Sequence, residues 1–264
     1  LGLINPPGIE NPLSLWMVHR SEFDHALTQR AVNMGADLIV ECTVKTVDPQ
    51  GKCCQVETEV NGKLQSFTSD YVIGADGANG ACARSIGLRR NRLLAIATEV
   101  ELPYSWPVDN PLVQRDVIHL EYGAVQRGYA WVFPKSDHLN VGAGVFRPRR
   151  EGGRGDGTVR DELRKAIWDY LDMLKVPYDP AELTYHSHPL PLWNGKENLQ
   201  TVDNRVLLAG DAAGLISPFF GDGILHAMGS GALARRLVAE NRTKDYTSEI
   251  QAEFGTNFDA AAKL

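Results

Sequence analysis

Apolar positions along the chain follow two different periods. Over residues 21–34, Phe23, Leu27, Ala31 and Met34 recur at spacings of four and three, which predicts an amphipathic helix with these four in the core. Ser21 with Asp24 three residues on resembles a capping box, and Gly35 supplies a C-terminal stop. Strand-like runs follow at 38–47, 55–60 and 71–75, with Asn61-Gly62 as a hairpin signal between alternating segments. Residues 93–146 are richer still in β character, with strands predicted at 118–122, 129–133 and 139–146 and turns at Gly123 and Ser136-Asp137. A glycine- and arginine-rich stretch at 147–157 reads as a mobile loop. Helical spacing returns at 158–174, where Leu163, Ile167, Tyr170 and Leu174 share a face.

After an irregular proline-rich passage comes a buried strand at 205–209, and then a helix from about 222 to 239. Ala227, Gly231, Ala234 and Val238 form a small-residue stripe on that helix, which suits close approach to a sheet. Together the pattern predicts an α/β fold with an antiparallel sheet in its middle.

Charge and cysteines narrow the function. A net charge of −6 excludes the basic stripe that a nucleic-acid-binding surface needs. No apolar run reaches the ~20 residues of a bilayer span, and the opening LGLINPPGIENP lacks the features of a signal peptide. Peripheral contact of loops with a membrane stays open. Cys42, Cys53, Cys54 and Cys82 form no CxxC pair, so reduced thiols of a cytosolic protein are expected rather than a zinc site or disulfides. His186 and His188 make an HxH without a third ligand and read as a polar strand edge, so no metal is expected. His226 reads as a packed histidine, and Ser217 has no base partner for nucleophilic catalysis.

Four motifs carry chemistry. In RVLLAGDAAGLISPFFGDGILHAMGSG (205–231) an apolar strand delivers Asp211 at its C-terminal edge, the ligand side of an open α/β sheet. Gly210 and Gly214 permit tight turns beside it, and Gly221-Asp222-Gly223 opens a long helix whose free N–H groups suit an anion. A second strand-turn-helix corner, DYVIGADGANGACARSIGL, begins at Asp70 and contains Asp76. The third motif is HRSEFDHALTQRAVNMGADL, beginning at His19. The fourth, GYAWVFPKSDHLNVGAG (128–144), alternates Tyr129, Trp131 and Phe133 on one strand face as a flat apolar wall.

These motifs resemble the flavoprotein hydroxylase superfamily, and SPFFGDGILHAMGSG resembles its geranylgeranyl reductases in particular. The resemblance implies FAD as cofactor, with Asp211 on the ribityl chain and Gly223 and Ile224 at the flavin ring. It matches Arg20 to an arginine that reaches FAD and Val44 to a backbone contact with the adenine. The corner at Asp76 resembles the DG motif, although Gly80 stands where serine is usual and Arg84 comes one position late, which puts direct NADPH binding in doubt. Tyr129, Trp131, Phe133, Pro134, Gly142 and Gly144 match the Y-x-W-x-F-P and G-x-G pattern that lines the substrate cavity of geranylgeranyl reductases.

The resemblance divides the chain into an FAD-binding part at 1–90, a substrate-binding antiparallel sheet with helix at 91–190, and a second FAD-binding part at 191–264. The implied reaction is reduction of C=C bonds in a geranylgeranyl chain of a lipid, quinone or chlorophyll precursor. NADPH, ferredoxin or another carrier would donate the electrons; neither the catalytic proton donor nor the oligomeric state is assigned. The alternatives are an FAD-dependent monooxygenase or halogenase acting on an aromatic compound, and an inactive truncated fragment. Nothing in the chain matches the GxGxxG unit that lays the FAD pyrophosphate on a helix, so a fragment lacking that N-terminal unit, and the C-terminal helices, is expected to bind FAD weakly or not at all.

Overall fold

The computed structural model describes residues 16–89, 92–106, 110–146, 156–195, 197–201 and 203–263. Helix α1 (Arg20–Asn33) leads to an antiparallel meander, β1 (Cys42–Gln50), β2 (Cys53–Val60) and β3 (Lys63–Ser69). Asn61 and Gly62 turn between β2 and β3 with φ of 50° and 74°, the left-handed pair that a type I′ hairpin requires. Strand β4 (Val72–Gly74) and the short helix α2 (Ala81–Ser85) follow.

A five-stranded antiparallel sheet comes next, built from β5 (Leu93–Pro103), β6 (His119–Glu121), β7 (Gly128–Pro134), β8 (His138–Val145) and β9 (Tyr185–Leu192) in the spatial order β6-β7-β8-β5-β9. Helix α3 (Asp156–Met173) crosses one face, and Leu163, Ile167, Tyr170 and Leu174 are buried there, as their spacing predicts. The last part holds β10 (Val206–Leu208), α4 (Gly210–Ala213), α5 (Ile224–Ala239), α6 (Tyr246–Ile250) and α7 (Thr256–Ala261). This is the expected α/β fold. Among the described residues no helix is long and apolar enough to cross a membrane.

Strand β10 pairs in parallel with β4, Leu208 opposite Gly74, so segments far apart in sequence share one core. Val206, Leu207 and Leu208 are fully buried there with Cys54, Cys82, Leu237 and Tyr246. Tyr246 spans the core and donates from its hydroxyl to the Leu208 carbonyl at 2.7 Å.

Several expectations need correction. Residues 38–40 form no ladder; Leu38, Ile39 and Val40 are exposed, and the strand begins only at Cys42, after Glu41 turns with φ of 51°. Helix α1 ends at Gly35 as expected, yet it buries no residue, and Met34 is 80% exposed because the described residues offer its apolar stripe no partner. Its N-cap is His19 rather than Ser21, and Asp24 is engaged in a bidentate pair with Arg20, which leaves no capping box.

Two strands lie where none was named. Strand β5 lies inside the sheet between β8 and β9, and β9 occupies the proline-rich passage. Pro189 and Pro191 fit because β9 is an edge strand, where a missing N–H breaks no second ladder. On α5, Ala234 shares the core with β10, but Ala227 faces α4 at Gly210 instead of a sheet. The loop expected at 147–157 lies, as far as residue 155, outside the described residues.

All four cysteines are free. Burial pushes the Cys82 thiol up to about 12, with the nearby Asp76 carboxylate adding to it, and burial raises Cys54 as well. At mildly alkaline pH, iodoacetamide should therefore modify Cys42 and Cys53 in the folded chain, and Cys54 and Cys82 only after denaturant is added. Peptide mass mapping reads this directly; rapid alkylation of Cys82 without denaturant would contradict the packing around β4.

Candidate functional site

Both acidic motifs start from the same edge of the parallel pair. Strands β4 and β10 end side by side, and Ala209 N–H donates to the Gly74 carbonyl at 2.9 Å, so Asp76 and Asp211 follow adjacent C-terminal strand ends. Asp76 turns inward and accepts the Cys82 N–H at 2.9 Å, which holds the first turn of α2. A side chain at position 80 would overlap the Asp76 carboxylate, so glycine there, instead of serine, admits that bond.

Asp211 sits in the first turn of α4 between Gly210 (φ 56°) and Gly214 (φ 70°), both left-handed positions. The buried Arg89 guanidinium lies against Gly214 and pairs with Glu197 at 2.9 Å. Burial holds the Asp211 carboxyl above its ordinary range, while Arg20 and His188 pull it partly back. Arg20 is raised first by its bond to Asp24, then by Asp211 and Glu99. The structure therefore brings Arg20 and Asp211 within electrostatic reach of each other.

From α4 the chain turns through residues 217–223 into α5. Ser217 is buried, and its hydroxyl accepts the Phe220 N–H at 3.3 Å, a structural turn with no base beside it. Gly223 is the N-cap of α5, and among the described residues no side chain caps the first N–H groups of the helix. A Cβ at Gly223 would stand 3.4 Å from the Asp211 carboxylate, which places helix start and acid side by side. Ile224, Leu225, Met228 and Phe220 are exposed around this point. His226 packs against Phe258 at 4.6 Å, as a packed histidine should. Val44, further off on β1, borders a bulge between Val44 and Thr46 that interrupts the ladder.

The aromatic motif meets the same turn. Tyr129 donates from its hydroxyl to the Phe220 carbonyl and stacks on Phe146 at 5.0 Å, and Phe146 in turn occupies the space a side chain at Gly221 would need. Trp131 follows at 5.8 Å from Tyr129, and Phe133 at 6.0 Å from Trp131. Gly142 and Gly144 serve this wall: the indole of Trp131 lies where a Cβ on Gly142 would be, and the Phe146 ring packs on Gly144. Trp131 Nε1 donates to Asn140 Oδ1 at 2.8 Å, which fixes the ring's tilt.

Tyr129 and Trp131 are buried among Ala95, Ala97, Leu192 and Ile216, so part of the wall is core and only its Phe133 end is half-exposed. Pro134 falls on the opposite face, because alternation along β7 sets it with Ala130 and Val132 toward α3. A hollow of about 720 Å³ bordered by Tyr104, Leu112 and Pro177 shares no residue with this site.

These residues can hold a dinucleotide cofactor. A desolvated carboxylate that accepts no hydrogen bond among the described residues suits ribityl hydroxyl groups, and the uncapped start of α5 suits the polar edge of a flavin ring. For a metal the fit is poor. Among the described residues His186 and His188 gain no third ligand, and in the nearby group of His19, Asp137 and His138 both His138 nitrogens already face carboxylates, Asp137 at 2.8 Å and Glu101 at 2.7 Å.

Residues 10–245 match the model of the FAD binding domain family. The chain belongs to that family. It is 29% identical over 260 residues to digeranylgeranylglycerophospholipid reductase 3 of Methanosphaera stadtmanae, covering 97% of this chain and 62% of the relative. Among solved structures, a geranylgeranyl bacteriochlorophyll reductase-like protein of Thermoplasma acidophilum superposes with a TM-score of 0.72 at 22% identity, over 93% of this chain and 64% of that one. The flavin-dependent halogenase CmlS superposes with a TM-score of 0.62 at 22% identity, over 92% and 44%. Those two likenesses establish the fold. The chain spans 52% to 62% of the length of the curated relatives it matches.

Sequence reasoning missed Asn140 and Glu99 at this site, and it set His188 aside as a strand edge. Glu99 lies on β5 and His188 on β9, two strands the sequence pattern does not name, and Asn140 on β8 meets them only through the pairing register.

Two outcomes follow. Gly142→Ala should displace Trp131 and cost about 1–3 kcal/mol by overpacking, read by urea unfolding together with a shift in tryptophan emission; unchanged stability and emission would refute the seating of the ring. Asp211→Asn should raise the urea midpoint at neutral pH. The carboxyl of the folded chain binds its proton more tightly than the unfolded one, so ionised Asp211 costs stability, and the cost vanishes below the ordinary value of 3.8. The gain should shrink as pH falls toward that value, and a lowered midpoint at neutral pH would reverse the assignment.

Proposed function

We propose that this chain is the flavin- and substrate-facing part of an FAD-dependent reductase that saturates C=C bonds in the geranylgeranyl chain of an isoprenoid lipid. The observation that carries this reading is the bond from Tyr129 to the Phe220 carbonyl, which ties the aromatic wall to the turn that opens α5. An apolar wall fixed to that turn favours an extended hydrocarbon over a compact polar molecule as the substrate. The exposed Phe220, Ile224, Leu225 and Met228 extend that apolar surface beyond the sheet. The digeranylgeranylglycerophospholipid reductases among the relatives supply the substrate class.

In this reading Asp211, Arg20, Gly223, Ile224 and the backbone of Val44 hold the cofactor. FAD, once reduced, supplies hydride. The chain's own contribution is to orient the alkene against the half-exposed Phe133 end of the wall, which Trp131 backs, exclude water with the Tyr129–Phe146 stack, and keep Asp211 desolvated. Gly142 and Gly144 give the rings their room, and Pro134 acts from the far face by ending β7. The electron donor is left unassigned between NADPH and ferredoxin. The exposed apolar residues at the start of α5 would also let the protein rest on a membrane while it draws in a lipid tail.

The test is reduction without air. With FAD in excess and a chemical reductant, the protein should convert a geranylgeranyl glycerolipid to a product that has gained hydrogen, read by mass spectrometry. Trp131→Ala should lower turnover at least about tenfold, the scale of one lost positioning contact. Oxygen or halogen added to an aromatic compound on admission of air, with the lipid untouched, would replace this reading with the monooxygenase or halogenase one.

A further inference from the structure

The wall is only half of its sheet face. Pairing register sets Trp131 beside Gly142, Gly142 beside Glu99 and Glu99 beside His186 in one row. The neighbouring rows run from Tyr129 through Gly144 and Ala97 to His188, and from Phe133 through Asn140 to Glu101. Aromatic rings therefore occupy β7, glycines β8, and carboxylates and imidazoles β5 and β9, all on one face.

The polar half is wired to the aromatic half. Asn140, 7% exposed, accepts from Trp131 Nε1 at 2.8 Å and donates to Glu99 Oε2 at 3.1 Å and Glu101 Oε1 at 2.9 Å. The other oxygen of Glu99 lies 3.9 Å from His188 Nε2, and the His188 side chain is 62% exposed. Charges from other elements converge here: Arg20 of α1 feels Glu99 and Asp211, Asp211 feels His188, and Lys135 feels Glu101 and Glu99. Glu99 thus stands between the proposed flavin ligands and the edge of the Trp131 ring. Ala95 and Ala97 precede it on the same face, so a third small residue there would have packed without the cost of an acid.

We propose that Glu99 is the proton donor of the reaction, with Asn140 and His188 as positioning residues; this rests on the reductase reading. Saturating an isolated alkene requires one hydride and one proton. One alkene carbon takes the hydride that reduced FAD supplies, and the other takes the proton of the Glu99 carboxyl. The π bond breaks, two C–H bonds form, the alkene is reduced and the flavin oxidised. The Glu99 carboxylate that remains regains a proton from solvent through a water that bridges it to the exposed His188, 3.9 Å away. Asn140 holds the carboxyl toward the ring edge while its own amide oxygen keeps the indole flat.

The test separates binding from chemistry. Glu99→Gln keeps the shape and still accepts from Asn140, so the variant should bind a geranylgeranyl glycerolipid with a Kd within about twofold of the parent, read by quenching of tryptophan emission. Its kcat should fall at least about 100-fold, the scale of general acid catalysis. Glu99→Asp, which restores an acid, should recover at least about tenfold of that loss. A Glu99→Gln variant that keeps its turnover, or one whose lipid affinity falls in step with kcat, would overturn the assignment and leave the reductase reading standing. A parent protein that binds the lipid and never reduces it would overturn both.

Discussion

The parallel pairing of β4 with β10 is the contact on which the rest depends. Each strand has only three residues, and neither could hold its place alone. Their backbone bonds register Gly74 against Leu208, and that alignment delivers Asp76 and Asp211 to the same edge. Burial then makes the pairing costly to break, because Leu207, Leu208, Leu237 and Tyr246 would all lose cover. A slip of one residue would turn the side chains of β10 over and carry Asp211 away from the start of α5. The placement of the two acids here is a consequence of core packing.

Glycines do a second job at several points of this frame: each makes a seat for a larger neighbour. Gly80 seats the Asp76 carboxylate, Gly142 the Trp131 indole, Gly221 the Phe146 ring. The last two join the sheet to the cofactor turn, since Phe146 is stacked on Tyr129 and Tyr129 is bonded to Phe220. Glycine and ring are therefore one unit at each place. Enlarging the glycine or shrinking the ring would change the same contact from opposite sides.

What could be read beforehand is what local chemistry determines. Asn61-Gly62 makes a hairpin because both residues tolerate positive φ, and the α3 stripe is buried because its spacing matches one face of a helix. The motif around Asp211 was legible because strand, acid and glycine turn lie in one short run. Other features depend on partners distant in sequence. Strand β9 carries two prolines and reads as irregular until its edge position is known. The stripe on α1 looks like core, yet whether a stripe is covered is decided by another element. The polar half of the sheet face was illegible for the same reason. Glu99, Asn140 and His188 come from three strands, and only the register sets them side by side.

Asp211 shows how stability and function are divided in this fold. Its carboxyl is buried and raised, with no hydrogen bond of its own among the described residues. A chain under selection for stability alone would place asparagine or an apolar residue there. The cost is tolerable because the neighbouring acid does not add to it: Asp76, six residues from its own bonding partner in the first turn of α2, is satisfied by the Cys82 N–H. One acid of the pair at this edge therefore holds the fold, and the other is left free to accept bonds from a ligand. That asymmetry, rather than the number of acids, is what suits the edge of β4 and β10 to a ligand.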